Sequence, residues 1–263
     1  MVMKEKKGIA IALSGGSVRG LAHIGFLEVM EKYHIPIDHI VGTSMGALIG
    51  GIYASGKLNE FKEEILKLSD NKALIFLLTH KIRNGKGDTE DLTKILKKFV
   101  DKKKIENLNI GFTAVATDLN TGKEVFLEEG NLIKSINASI CIPGIFSPVK
   151  RGKMLLVDGG VTDPLPQDYA FKIAKKVITV NAMPTKFSYK KDGETFDIIS
   201  ESVSILIGQL IGRRIKRKKN LLFIQLKTHG IDSFDFKNAA KVIDVGRRAA
   251  EDHINQIIEF TSD

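Results

Sequence analysis

A serine lies between two glycines where a predicted strand passes into a predicted helix. Ser44 is the centre of the pentapeptide GTSMG at residues 42–46, between the strand expected at residues 37–41 and the helix expected at residues 47–54. Gly42 and Gly46 allow a turn tight enough to project the serine hydroxyl into a cleft, and the helix N-terminus stabilises negative charge that develops there. The pattern is typical of a nucleophilic serine, although the pentapeptide alone fits a serine that caps an ordinary helix equally well.

A glycine-rich loop follows the first predicted strand. The sequence SGGSVRG at residues 14–20 connects a strand at residues 9–13 to a helix at residues 21–33. Successive backbone N–H groups of such a loop can point at an anion, which is either a phosphate or the oxyanion of a reaction intermediate. A guanidinium beside these amides suits the same anion. The expected anion-binding residues are Gly15, Gly16, Ser17 and Arg19, and Gly20 supports the turn.

A dinucleotide-binding loop is the alternative for these residues. Its fingerprint is G-x-G-x-x-G, and Ser17 stands where the middle glycine should be. Asp38 nevertheless lies close to the position at which the fingerprint places an acidic residue. The departure at Ser17 weakens the interpretation as a nucleotide-dependent oxidoreductase without excluding it.

A carboxylate follows another predicted strand. Asp158 comes directly after the strand expected at residues 155–157 and is followed by Gly159 and Gly160. The carboxyl ends of parallel strands lie at one edge of a sheet, so Ser44, the glycine-rich loop and Asp158 are expected to converge there. An aspartate on a glycine-flanked turn is also typical of an Asx turn, which would be the preferred interpretation without the other two clusters.

Strands and helices alternate along the chain. Continuous apolar strands are typical of a sheet buried on both faces, and the alternation predicts a mostly parallel sheet covered by helices on both sides. We therefore expect residues 1–263 to form one α/β domain with three α/β/α layers. The expected strands are residues 9–13, 37–41, 111–116, 155–157, 177–180 and 221–226, and the expected helices are residues 21–33, 47–54, 58–68, 89–100, 132–140 and 237–259.

The composition narrows the class of protein. With 43% hydrophobic and 27% charged residues, the sequence is that of an ordinary globular chain. Its one cysteine, Cys141, excludes an intramolecular disulfide, and the sequence has no recognisable secretion signal or spanning segment. These features predict a cytoplasmic protein. The net charge of +9 favours an anionic partner, either lipid headgroups or nucleic acid.

The ordered blocks resemble the patatin-like phospholipase family, especially its small bacterial and archaeal members. They are the glycine-rich loop with GLAHIG at residues 20–25, GTSMG at residues 42–46, NAS at residues 137–139 with IPGIFSPV at residues 142–149, and DGG at residues 158–160. Two departures from the family pattern bear on substrate choice. Ser17 replaces a glycine that many relatives have, and Asp163 stands where plant relatives often have asparagine.

The resemblance implies a serine lipid acyl hydrolase with a Ser-Asp dyad. Asp158 would accept the proton of Ser44, which attacks an ester carbonyl and forms an acyl-serine, while the loop at residues 15–19 stabilises the oxyanion. The expected substrates are phospholipids, lysophospholipids or other fatty-acyl esters. No metal, cofactor or nucleic acid is expected. The alternative is a non-catalytic anion- or nucleotide-binding α/β protein.

Two segments combine apolar and basic residues in the way that interfacial helices do. Residues 73–78 precede the basic residues 81–83, and a helix expected at residues 198–211 precedes the basic residues 213–219. They predict peripheral binding to an anionic membrane, and a core helix with a solvated basic end is the simpler alternative.

Histidine and cysteine side chains are not expected to act in the chemistry. The six histidines are scattered, and His23 alone lies near one of the blocks. We expect His23 to pack within the first helix, because the dyad already supplies a base. Cys141 has apolar neighbours and is expected to be a small buried hydrophobic residue.

Overall fold

The fold is seen in a computed structural model that describes residues 8–70, 89–187, 195–215, 218–233 and 236–262. The apolar segment 73–78 and the basic residues 81–83, one of the two expected lipid-contacting segments, lie outside the described residues. The strands are β1 (Ile9–Leu13), β2 (His39–Thr43), β3 (Gly111–Asp118), β4 (Lys123–Leu127), β5 (Val149–Arg151), β6 (Met154–Asp158), β7 (Lys176–Asn181) and β8 (Leu221–Gln225). The helices are α1 (Ala22–Lys32), α2 (Met45–Ala54), α3 (Leu58–Asp70), α4 (Thr89–Val100), α5 (Leu132–Ser139), α6 (Gln167–Ile173), α7 (Thr195–Arg214), α8 (Ala239–Asp252) and α9 (Ile254–Ser262).

A mostly parallel sheet forms the centre of the fold. Its strand order is β5-β6-β3-β2-β1-β7-β8, and β4 pairs with β3 off this path. The strands β3, β2, β1, β7 and β8 run parallel to one another, whereas β4, β5 and β6 pair in antiparallel fashion. The predicted three-layer α/β fold with a mostly parallel sheet is therefore confirmed.

Each face of the sheet has its own apolar cluster. In β1, Ile11 and Leu13 point into the larger cluster, which α1, α2, α5 and α8 complete. Ala10 and Ala12 point to the other face and pack with residues of α6. Because successive side chains of a strand point to opposite faces, this alternation buries β1 between two helical layers.

Several elements differ from the sequence prediction. The expected helix at residues 237–259 is two helices, because the chain turns at His253, whose N–H and Nδ1 contact the carbonyls of Ala250 and Ala249. The helix α6 and the strands β4 and β5 were not predicted, and β2 begins and ends two residues later than expected. None of the described helices is long and apolar enough to span a membrane.

Candidate active site

Ser44 occupies a strained turn between β2 and α2. Its backbone has a φ of 55° and a ψ of −123°, a region that residues with a Cβ rarely adopt and that costs about 1–3 kcal/mol. The flanking glycines make the turn possible, because a Cβ at Gly42 would collide with the Gly46 carbonyl and a Cβ at Gly46 with the Leu13 carbonyl. The side chain is largely buried. The turn presents the hydroxyl at the carboxyl edge of the sheet, where the sequence placed it.

A second serine holds the Ser44 backbone. The Ser44 N–H donates to Ser139 Oγ at 2.9 Å, and the Ser139 hydroxyl donates to the Val115 carbonyl at 2.6 Å. All of these groups are buried, so the contact with Ser139 satisfies an amide that would otherwise lack a partner. Sequence reasoning did not assign a role to Ser139. Ser139 lies on the apolar, buried side of α5, and a serine in such a position usually has a buried polar partner.

Asp158 ends β6 with its carboxylate buried beside this turn. Its Oδ1 accepts from the Gly160 N–H at 2.7 Å, and its own N–H donates to the Cys141 carbonyl at 2.9 Å. Burial raises the pKa of Asp158 to about 6, although the Ser44 hydroxyl and the Gly160 N–H both act to lower it. Oδ2 is buried and has no hydrogen-bond partner of normal geometry among the described residues. The Ser44 hydroxyl is therefore close enough to stabilise the carboxylate without forming a well-aligned hydrogen bond.

The pairing of β3 explains why Ser44 and Asp158 meet. On β3, Val115 pairs with Thr43 of β2 and the next residue, Ala116, pairs with Asp158 of β6. The opposite edge of β3 is occupied by β4 from Ala114 onward. Because β4 takes one edge of β3, β2 and β6 both lie along the other edge of β3 and approach each other from opposite directions. The end of β2, which leads into Ser44, therefore faces the end of β6.

The glycine-rich loop covers this meeting point. A Cβ added at Gly15 would lie 3.3 Å from Ser44 Cβ and 4.0 Å from Ser44 Oγ, so the loop backbone packs directly on Ser44. The Gly15 N–H, however, donates to the Pro164 carbonyl at 3.0 Å. Gly15 was expected to donate to the oxyanion, but its amide is occupied. Gly15 contributes by having no side chain, which leaves space beside Ser44.

Arg19 fixes the loop to another segment. Its Nε donates to the Ile231 carbonyl at 2.8 Å, and the neighbouring Val18 N–H donates to the Ser233 carbonyl at 3.1 Å. Burial lowers the pKa of Arg19, while the charges of Glu201 and Asp232 raise it. Arg19 was expected to donate to the oxyanion, but its Nε donates to a backbone carbonyl instead. Among the described residues, the loop amides without a backbone acceptor are those of Gly16 and Ser17.

His23 supports the loop from inside the fold. The side chain is fully buried, and its Nε2 lies 3.0 Å from the Ser14 carbonyl. Burial lowers the pKa of His23 to about 4, so the ring is neutral at physiological pH and Nε2 donates to that carbonyl. Nδ1 has no partner among the described residues. This placement agrees with the expectation that His23 packs within the fold.

An ion pair between a buried aspartate and a half-buried arginine connects the turn after Asp158 to α7. Arg214 Nη1 lies 3.0 Å from Asp163 Oδ1, and Arg214 Nη2 donates to Glu124 Oε1 at 3.0 Å. Burial raises the pKa of Asp163 to about 6 against the opposing effect of Arg214. The Asp163 carbonyl accepts from Thr43 Oγ1 at 2.8 Å. These contacts link Thr43, the turn after Asp158 and α7.

The site contains the groups of a serine hydrolase. A hydroxyl on a strained turn, a buried carboxylate with a raised pKa and unpaired backbone amides are the elements of nucleophile, base and oxyanion stabilisation. In the described ranges, no group of three His, Cys, Asp or Glu side chains is placed to hold a metal ion.

Known proteins have similar sequences over part of this chain. An uncharacterised NTE family protein of Mycobacterium bovis is 40% identical over 158 residues, which cover 60% of this chain and 44% of the relative. The lysophospholipase NTE1 of Debaryomyces hansenii is 30% identical over 186 residues, covering 67% of this chain and 12% of that protein. The chain thus spans less than half the length of these curated relatives.

Structural similarity and a family match lead to one assignment. The crystal structure of VipD from Legionella pneumophila superposes with a TM-score of 0.52 at 13% identity, covering 96% of this chain and 67% of VipD, which shows a shared fold. The family described as patatin-like phospholipase matches residues 11–171, a segment that holds β1 to α6 and includes Ser44 and Asp158. This match covers more than half of the sequence, and the chain belongs to the patatin-like phospholipase family.

Proposed function

We propose that the chain is a serine lipid acyl hydrolase with Ser44 as nucleophile and Asp158 as base. The observation that carries this proposal is the Ser44 hydroxyl on a strained turn beside the buried Asp158 carboxylate. A carboxylate with a pKa of about 6 remains largely ionised at pH 7 and is a better proton acceptor than an exposed one. Oδ1 accepts from the Gly160 N–H, whereas Oδ2 has no hydrogen-bond partner among the described residues and has the capacity to accept the proton.

The reaction proceeds in two acyl transfers. Asp158 takes the Ser44 proton as Oγ attacks the ester carbonyl, and the tetrahedral intermediate places its oxyanion near the amides of Gly16 and Ser17. The intermediate collapses to an acyl-serine, and Asp158 returns the proton to the departing alcohol. A water molecule then loses its proton to Asp158 and attacks the acyl-serine. Collapse of the second intermediate releases the fatty acid and returns the proton to Ser44. No metal or cofactor takes part in this scheme.

The proposed substrates are fatty-acyl esters of phospholipids or lysophospholipids. The family description and the name of the Debaryomyces relative, lysophospholipase, support this class. Such substrates reside in lipid surfaces, and a chain with a net charge of +9 is attracted to an anionic one. Peripheral binding to an anionic membrane is therefore part of the proposal.

Covalent labelling tests the proposal. A fluorophosphonate should modify Ser44 stoichiometrically, because a serine activated by a neighbouring base attacks phosphorus quickly. Ser44→Ala should abolish both labelling and hydrolysis of a p-nitrophenyl ester of a medium-chain acid, whereas Ser262→Ala, an exposed serine at the end of α9, should leave both unchanged. Added chelator should not alter the rate. Labelling that persists in Ser44→Ala, or a rate that falls with chelator, would contradict the proposed mechanism.

A further inference from the structure

The outward face of α7 is apolar over most of its length. Among the described residues, nine large hydrophobic side chains are exposed, and five of them belong to this helix. Their exposed fractions lie between 39% for Ile205 and 64% for Leu206. Solvent-facing helix surfaces normally carry charged and polar side chains, so this concentration is unusual for a surface helix. The five residues, which we call the α7 face, are Ile198, Ile199, Val203, Ile205 and Leu206.

Charge is arranged around the α7 face and not on it. Between residues 198 and 212 the one charged residue is Glu201, which is half-buried and interacts with Arg19. The other exposed side chains of this stretch, Ser202 and Gln209, are uncharged. Over about four turns, the exposed surface of α7 is therefore uncharged and mostly apolar.

The end of α7 carries exposed positive charge. Arg213 and Lys219 are exposed, whereas Arg214 pairs with Asp163 and Lys218 pairs with Asp168. The basic segment expected at residues 213–219 is therefore divided, within its described residues, between side chains that form ion pairs and further exposed cations. An apolar face bordered by exposed cations is complementary to a bilayer with anionic headgroups.

The inner face of α7 lies on the catalytic turn. A Cβ at Gly160 would be 3.8 Å from Ile207 Cδ1, and Gly160 also donates to the Asp158 carboxylate. Ile211 packs with Leu165 beyond that turn. Val161, which directly follows Gly160, is itself an exposed hydrophobic residue. One helix thus has its inner face against the active site and its outer face toward solvent.

We propose that the α7 face is the surface by which this chain docks on an anionic phospholipid bilayer. The inference rests on the proposed lipid hydrolase function, because docking there brings the ester-bearing surface to the side of the fold that holds Asp158. A bilayer is the occupant that fits the charges: it attracts a chain of net charge +9, whereas a second copy of the chain repels it. Apolar insertion supplies binding, and the exposed cations orient it.

Vesicle binding tests the α7 face. The experiment measures sedimentation with vesicles of phosphatidylcholine and phosphatidylglycerol, together with hydrolysis of a soluble p-nitrophenyl ester. The double variant Ile199→Ser, Leu206→Ser should lower the vesicle partition coefficient by at least about tenfold, because interfacial binding scales with buried apolar area. It should retain hydrolysis of the soluble ester. The single variant Leu206→Gln, which changes one exposed side chain, should show a smaller loss of binding in the same direction.

Matched controls separate the α7 face from hydrophobicity in general. Ile258 is 40% exposed on α9, a helix whose Phe260 carbonyl accepts from Lys176 at the amino end of β7, away from the catalytic edge. Ile258→Ser should bind vesicles as the wild type does. Ser44→Ala should also bind normally, since docking does not need the nucleophile.

The outcomes distinguish docking from catalysis. Vesicle binding by a wild-type protein that hydrolyses no ester would support the docking surface and contradict the proposed function. Hydrolysis of soluble ester without vesicle binding, or equal binding by the wild type and both α7 variants, would overturn the docking surface and leave the function standing. A wild-type dimer that the double variant converts to a monomer would also overturn it, because the α7 face would then belong to a second copy.

Discussion

Replacing Asp158 by asparagine should stabilise the fold while it abolishes hydrolysis. Burial raises the pKa of this carboxyl from 3.8 to about 6, which means that folding favours its protonated form. That contribution to stability is fully present below about pH 3.8 and is lost as the pH rises through about 6. The native protein at neutral pH therefore carries a destabilising buried charge, which Asp158→Asn removes.

The size of the effect follows from the shift. About two pKa units at about 1.4 kcal/mol each correspond to about 3 kcal/mol at pH 8, falling below about 1 kcal/mol at pH 4. The upper value is a ceiling, because the new amide must find an acceptor where Oδ2 has no hydrogen-bond partner among the described residues. The hydrogen bond from the Gly160 N–H to Oδ1 can persist, since an asparagine oxygen accepts equally well.

Urea denaturation of both proteins from pH 4 to pH 8 measures this difference. Asp163 also has a pKa raised to about 6, but it is present in both proteins, and its contribution cancels in the comparison. The variant should gain stability relative to the wild type as the pH rises, and its kcat on a soluble ester should fall by several orders of magnitude. A variant that is less stable at pH 8, or that keeps its activity, would refute the assignment of Asp158 as a buried ionised base.

Further predictions concern the pH profile and the groups around the nucleophile. Because Asp158 must be ionised to accept a proton, kcat/KM for a soluble ester should fall about tenfold as the pH drops from 7 to 5, and a profile that is flat in this range would contradict it. Ser139→Ala should lower the free energy of unfolding in urea by about 1–3 kcal/mol, because it leaves the buried Ser44 N–H without an acceptor. Gly15→Ala should lower kcat, measured on the same ester, while stability is kept, because its Cβ would lie 3.3 Å from Ser44 Cβ; an unchanged rate would show that the loop does not pack on the nucleophile. His23→Ala should keep kcat within about tenfold, or about 1.4 kcal/mol, in any folded variant, and a loss as large as that of Asp158→Asn would refute the dyad.

Local patterns in the sequence determined the family, the fold class and the positions of the strands that carry the site. β1 lies at the predicted residues, and β6 and β7 extend the predicted strands by one residue at each end, because runs of apolar residues are continuous signals. The turn at Ser44 was recognisable from the two flanking glycines. Gly42 is required by contacts within the turn, whereas Gly46 is required by the close approach of the β1 backbone. The carboxyl ends of β1 and β2 lie at one edge because these strands are parallel, but Asp158 arrives there on β6, which is antiparallel to β3. Its convergence with Ser44 therefore depended on a strand pairing that the sequence did not predict.

Segments that lack a continuous run of apolar residues owe their secondary structure to the strands and helices beside them. β5 has three residues, none of them fully buried, and β4 mixes exposed and buried residues, so each is a strand because β6 or β3 offers it hydrogen bonds. α6 packs on the small side chains of Ala10 and Ala12 of β1. Alanines in a strand do not predict which segment covers them. Tertiary pairing overrides weak local preference at these positions.

The fine structure of the site depended on contacts between residues far apart in the sequence. Ser139 reaches the Ser44 N–H across 95 positions, and Arg19 reaches the Ile231 carbonyl across 212. The Gly15 amide, which the sequence assigned to an oxyanion, is taken by the carbonyl of Pro164. A motif states which donors and acceptors are present, but which of them remain free depends on the groups that folding brings beside them. That selection, and the raised pKa that burial gives Asp158, belong to the tertiary structure alone.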